Sequence, residues 1–144
     1  MMVDRVEFRY IEYYGRNYPL VPLRLLGSNG KLLVYALVDS GATISLFHRS
    51  IAEYAGIELG DAKPVYLAGV GGYVKALLKR RVDIEIEGIG RLMIPIAFTE
   101  YIASDIMILG REGFFESLKI TFREKDKVVA LEKPRGHITL SSKS

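Results

Sequence analysis

Cysteine is absent from this chain of 144 residues, which excludes disulfide scaffolds, thiolate zinc sites, iron–sulfur clusters and cysteine nucleophiles. Histidine is nearly absent. His48 and His137 are the whole complement, too few for a multi-histidine metal site, and no metal or cofactor is expected. No run approaches the roughly 18 apolar residues that a membrane-spanning helix needs. Met1 to Glu7 mixes charges through the stretch that a signal peptide keeps apolar. The expectation is a soluble, cytoplasmic protein with no membrane partner. A large charge of one sign is also missing, since 20 Lys+Arg stand against 17 Asp+Glu for a net charge of +3. The densest basic cluster is Lys79-Arg80-Arg81, preceded by Lys75. It reads as the solvated end of a strand, no helix-turn-helix, RRM or zinc-finger pattern accompanies it, and nucleic acid is not the expected partner.

What is present is an ordinary globular composition, 49% apolar and 26% charged, in a length that suits one domain. Most of the chain alternates at period two or runs in short Val, Ile, Leu and Tyr segments punctuated by Gly, the pattern of an all-β domain. Val6 to Tyr14 alternates loosely up to Gly15. Leu20 to Leu26 and Lys31 to Val38 flank a turn at Ser28-Asn29-Gly30 and form a hairpin. Val65 to Leu67 and Tyr73 to Leu78 flank a glycine-rich tip, Val82 to Ile86 and Leu92 to Phe98 form a further hairpin, and Ile106 to Leu109 reads as a buried strand. Ser45 to Ala55 carries apolar residues at helical spacing and stops at Gly56, which predicts a short helix. Arg111 to Leu118 is predicted to form a second. Lys119 to Phe122 and Val128 to Leu131 bracket a polar turn, and the Ser- and Lys-rich end from Pro134 is expected to fray. The nine tyrosines are assigned to core and interface.

Leu37-Val38-Asp39-Ser40-Gly41-Ala42-Thr43 is the sharpest feature. A carboxylate that leaves an apolar strand onto a tight turn of small residues is held rigidly and stays reachable. Gly41 lets the backbone turn closely and bring amides near that carboxylate, while Ser40 supplies a hydroxyl for a neighbouring loop. Taken alone, Asp-Ser-Gly is also a plain turn sequence.

Two further motifs follow in order. Gly69-Val70-Gly71-Gly72 begins 30 residues after Asp39, and Ile108-Leu109-Gly110-Arg111 places its glycine 71 residues after it. The set resembles the retropepsin-like aspartic protease family: an active-site Asp-Ser/Thr-Gly with a small residue after it, a glycine-rich flap tip, and a second signature of two apolar residues, Gly and Arg. Pro19-Leu20-Val21 to Leu37 resembles the hairpin that leads such proteases to their catalytic Asp. The resemblance implies an all-β acid-protease fold over residues 19–131, after an N-terminal extension strand (1–18) and before a polar tail (132–144). It implies catalysis by Asp39, an active-site loop of Ser40, Gly41, Ala42 and Thr43, and substrate contacts from Gly69, Val70, Gly71 and Gly72. Many viral members carry an acidic residue at the position of Thr43, paired with the Arg of the second signature, so Arg111 is expected to have another partner here.

Aspartic proteolysis uses two carboxylates that share one proton, and no other Asp of this chain is followed by Ser or Thr and then Gly. The second Asp39 therefore has to come from a second copy, which predicts a C2 homodimer closing over an extended peptide or protein substrate. The alternative is a module of the same fold that dimerises or binds peptides without cleaving them. Other chemistries find little support: no Gly-x-Ser-x-Gly elbow accompanies the histidines, and the glycine-rich tip lacks the Lys-Ser/Thr of a phosphate loop. Asp83, Glu85 and Glu87 share a strand face that either binds a cation or is simply solvated. Tyr66 or Tyr73 is a candidate to line the cleft from the flap.

Overall fold

The computed structural model describes residues 3–69 and 71–134, so the expectations for Val70, for His137 and for the tail from residue 135 fall outside the described residues. The strands are β1 (Val3–Arg9), β2 (Ile11–Tyr13), β3 (Arg16–Tyr18), β4 (Leu20–Gly27), β5 (Gly30–Val38), β6 (Ser45–His48), β7 (Lys63–Gly69), β8 (Gly72–Ile86), β9 (Gly90–Thr99), β10 (Met107–Leu109), β11 (Lys119–Arg123) and β12 (Val128–Pro134). One helix, α1 (Arg49–Ala55), follows β6, and an irregular helical turn at Arg111–Phe115 follows β10. The fold is all-β, as the period-two patterning predicts. No helix among the described residues is long and apolar enough to cross a membrane.

Seven strands form one sheet in the order β4-β5-β10-β6-β9-β8-β7. Strand β4 also pairs with β8 through Arg24↔Glu85 and Leu25↔Ile84, so the sheet closes into a ring with β7 on its outer edge. Alternation sends one side of every strand inward. Val38, Phe47, Ile94, Ile96, Phe98, Met107, Leu109 and Phe114 are all buried in this main core. A smaller cluster on the other side of the sheet packs Ala76, Leu78 and Ala97 with Ile44, Leu46, Val65 and Leu67.

The short strand β10 ties this arrangement together. It runs parallel to β5 (Ile108↔Leu37, Leu109↔Val38) and antiparallel to β6 (Ile108↔Leu46), and β6 runs parallel to β9. The ends of β5 and β10 consequently leave the sheet side by side, which brings Asp39 next to Gly110.

The termini form a separate three-stranded sheet in the order β1-β12-β11. Strand β1 pairs with β12 from Val3↔Pro134 to Arg9↔Val128, while Val129 and Leu131, with Val6, Phe8 and Ile120 against them, join the main core. The buried Tyr10 fixes the exit from β1: its amide donates to the Lys127 carbonyl at 2.8 Å and its hydroxyl to Glu124 Oε1 at 3.0 Å.

Several expectations need correction. The helix does not begin at Ser45: residues Ser45–His48 are strand β6, because Ser45 and Phe47 are buried and Leu46 and His48 half-buried, a period of two rather than 3.6. Helix α1 starts after His48, whose Nδ1 accepts the Ser50 amide at 3.1 Å. Arg111 to Leu118 is not a regular helix, since Glu112 is extended and Gly113 takes φ +79°. A Cβ on Gly113 would lie 2.6 Å from Pro95 Cδ, so this kink lets the chain pass close over β9.

Lys79-Arg80-Arg81 does not end a strand either. It forms a bulge inside the continuous β8, between Lys79↔Ile96 and Val82↔Ile94, with Lys79 Nζ 2.6 Å from Asp61 Oδ1. Of the nine tyrosines only Tyr10 is in the core; Tyr14, Tyr35, Tyr54, Tyr66, Tyr73 and Tyr101 are exposed. Within the acidic stripe, Glu85 pairs with Lys31 at 2.9 Å, and no cluster of three or more metal-binding side chains occurs among the described residues.

Candidate active site

Strand β5 delivers Asp39 to the surface just beyond Val38, half-buried, with exposed Ser40 and Gly41 after it. Each side of the loop is held by backbone. The Asp39 amide donates to the Leu109 carbonyl at 3.0 Å, and the Ala42 amide donates back to the Asp39 carbonyl at 3.2 Å. From the second signature, the amides of Arg111 and Glu112 donate to the carbonyls of Ala42 and Thr43 at 2.9 and 2.8 Å. The carboxylate itself accepts the Gly41 amide on Oδ1 at 2.9 Å. One oxygen is thus oriented by the protein's own turn, which fixes where the other points.

Gly110 lies beneath the loop. A Cβ at this position would sit 2.6 Å from the Ile44 carbonyl carbon and 2.9 Å from the Ala42 oxygen, so the second signature needs glycine here for close approach. The Gly110 amide donates to Ser45 Oγ at 3.0 Å in a buried position. Sequence reasoning missed Ser45; its signal was a small polar residue at a position of β6 that alternation sends inward. Arg111 does not turn to another position as expected: its Nη2 donates to Thr43 Oγ1 at 3.3 Å, so a hydroxyl stands where viral members use a carboxylate. Thr43, Arg111, Glu112, Phe115 and Glu116 surround an open hollow of about 400 Å³ beside the loop.

Asp39, Ser40, Gly41, Ala42 and Thr43 are therefore brought together with Ile108, Leu109, Gly110 and Arg111. The glycine-rich tip belongs to the β7–β8 hairpin, whose pairing runs from Lys63↔Leu78 to Gly69↔Gly72. Val65 and Leu67, with Ala76 and Leu78, pack on the side of Ile44 and Leu46, five and seven residues after Asp39. The other face of the hairpin carries Tyr66 and Tyr73, 66% and 77% exposed. Alternation therefore turns these tyrosines away from the Asp39 side, contrary to the reading that one of them lines the cleft.

No described side chain or backbone group bonds the Ser40 hydroxyl, which leaves it available to a neighbouring loop. His48 caps α1 instead of facing Asp39. No other carboxylate in the described residues occupies a turn of this kind, so one copy supplies one Asp.

No curated relative matches the chain. A family model described as aspartyl protease matches residues 21–112, a span that starts in β4, contains the Asp39 loop and the glycine-rich hairpin, and ends just past Gly110 and Arg111. With the two signatures joined backbone to backbone on an all-β ring, the chain belongs to the aspartyl protease family, in its retropepsin-like clan.

Proposed function

We propose that the protein is an aspartic endopeptidase whose catalytic pair is the Asp39 of each of two copies, set on the axis of a homodimer. The observation that carries this reading is the Asp39 loop: a half-buried aspartate whose carboxylate accepts the Gly41 amide and whose own amide donates to the Leu109 carbonyl, beside exposed Ser40 and Gly41. Two such loops facing across a two-fold axis put two carboxylates in one site, and the free Ser40 hydroxyl of each can bond to the other loop.

One carboxylate is charged and takes a proton from a water molecule. The water oxygen forms a bond to the scissile carbonyl carbon, while the second, protonated carboxyl gives its proton to the carbonyl oxygen. In the resulting tetrahedral diol the first carboxyl gives the proton it took from water to the amide nitrogen as the C–N bond breaks, and a diol hydroxyl gives its proton to the second carboxylate, which releases acid and amine and leaves the pair again singly protonated. The reaction needs one proton on the pair, so the rate should fall on both sides of an acidic optimum. The glycine-rich hairpins, one from each copy, would close over an extended peptide.

The test is incubation of the purified protein with a mixed peptide library from about pH 3 to about pH 7, with and without a statine-type mimic of the tetrahedral intermediate. Cleavage that the mimic blocks is the expected result. Absence of inhibitable cleavage across that range would replace the enzyme with a peptide-binding or dimerisation module of the same fold.

A further inference from the structure

The hairpin β2–β3 lies before the region matched by the family model, yet it reaches the flank of the site. Tyr13 hydroxyl donates to Asp105 Oδ2 at 2.6 Å across 92 residues, which ties the hairpin to the loop that precedes β10. Tyr14 and Gly15 turn the hairpin with φ of 51° and 81°, and the rings of Tyr13 and Tyr18 meet edge to face with centroids 6.3 Å apart. Under this bridge runs a groove of about 290 Å³ whose walls include Tyr13, Tyr18, Leu20, Leu37, Ile106 and Ile108.

The floor of the groove lies on the two strands that lead to the Asp39 loop and to Gly110. Leu37 and Ile108 are paired across β5 and β10, and each stands two residues before a loop-forming position, Asp39 and Gly110. Along a strand, residues two apart share a face, so the apolar floor of the groove and the Asp39 side chain lie on one side of the sheet. Val38 and Leu109, between them, point into the core.

We infer that the β2–β3 hairpin is a specificity element, which Tyr13 and Asp105 latch in place as the outer wall of a groove that takes one bulky apolar side chain of the bound peptide. The inference rests on the proposed peptide-cleaving role and adds to it two positioning residues that touch neither the scissile bond nor Asp39. The occupant follows from the walls: aliphatic and aromatic groups on the sheet side gain by excluding water from an apolar side chain. Tyr13 is suited to the latch because its phenol is pushed up to about 12, first by the bond to Asp105 and then by burial, and it stays a donor throughout the range in which an acid protease works.

The test uses two statine-type peptide mimics that differ only in the central side chain, isobutyl or methyl, with binding measured by calorimetry on the full chain. The wild type should prefer isobutyl by roughly tenfold or more, and the methyl signals of Leu37, Ile106 and Ile108 should shift on binding it. Tyr13→Phe and Asp105→Ala should lose most of that preference, with binding of the isobutyl mimic weakened far more than that of the methyl mimic. Asp105→Asn, whose amide oxygen can still accept the phenol hydrogen, should retain it. Equal binding of the two mimics by the wild type, an unchanged preference in both latch variants, or the absence of shifts at Leu37 and Ile108 would each overturn the groove assignment and leave Asp39-dependent cleavage standing. Failure of both mimics to bind at all would overturn the groove and the peptide-cleaving role together.

Discussion

The Gly110 amide and the Ser45 hydroxyl meet at 3.0 Å in the interior, 65 residues apart in the chain. This contact joins the second signature to the strand that follows the Asp39 loop. Ser45→Ala would leave a buried amide without its acceptor, at a cost of about 1–3 kcal/mol. Gly110→Ala would push a methyl group against the Ile44 and Ala42 backbone, a strain of about 1–3 kcal/mol or more. Urea denaturation should show both losses. Turnover should fall further in Gly110→Ala, because backbone bonds to Ala42 and Thr43 hold the Asp39 loop; a destabilised but fully active Gly110→Ala protein would show that the loop does not depend on this contact.

The terminal sheet should be sensitive to acid. Arg123, and after it Arg5, hold the Glu7 carboxyl at about 2, down from 4.5, through contacts of 3.1 Å and 2.8 Å. A carboxyl depressed in the folded state adds stability above its unfolded value, and that stability drains away as the pH falls through the folded one. The protein should therefore lose part of its thermal stability between about pH 4.5 and about pH 2, less so in high salt because these groups are solvent-exposed. Glu7→Gln should flatten that part of the Tm–pH curve, and an identical slope in the variant would assign the acid sensitivity elsewhere.

The hairpin tip allows a test of closure. Gly72 has φ +119° with open space where a Cβ would stand, so Gly72→Val introduces backbone strain of about 1–3 kcal/mol without a clash. A β-branched residue at position 72 also narrows the backbone and side-chain freedom that closure on a peptide would use. Turnover should drop by a larger factor than the fraction of folded protein, as judged by kinetics beside a melting curve. Unchanged kinetics in Gly72→Val would mean that this hairpin does not close on substrate.

The sequence made the site legible because Asp39 and Gly110 mark sharp local events, a strand end and a close approach, that depend on few residues. The second half of β8, where Val82, Ile84 and Ile86 are buried and Asp83 and Glu85 only partly so, was equally readable from alternation. Misreadings came where two periods coincide or where the cause is distant. Phe47, Ile51, Ala52 and Ala55 have helical spacing, yet the first of them sits in β6 because strands β9 and β10 are there to pair with it. Gly113 bends its segment to clear Pro95 and Ile94, neighbours that no local pattern announces. The latch between Tyr13 and Asp105 is invisible for the same reason: an exposed acid and a tyrosine acquire meaning only when the fold brings their loops together.

The central claim is that two chains share one catalytic pair, and the most direct measurement is a mixing experiment with Asp39→Asn. The amide is nearly isosteric with the carboxylate and cannot act as a base, so the variant alone should fold, dimerise and cleave nothing. Equilibrated with wild-type protein at a tenfold excess, it should capture most wild-type chains in mixed dimers that hold a single carboxylate, and wild-type activity should fall to roughly a tenth. Wild-type activity that persists undiminished in the presence of a folded, dimer-competent Asp39→Asn protein would contradict the shared site.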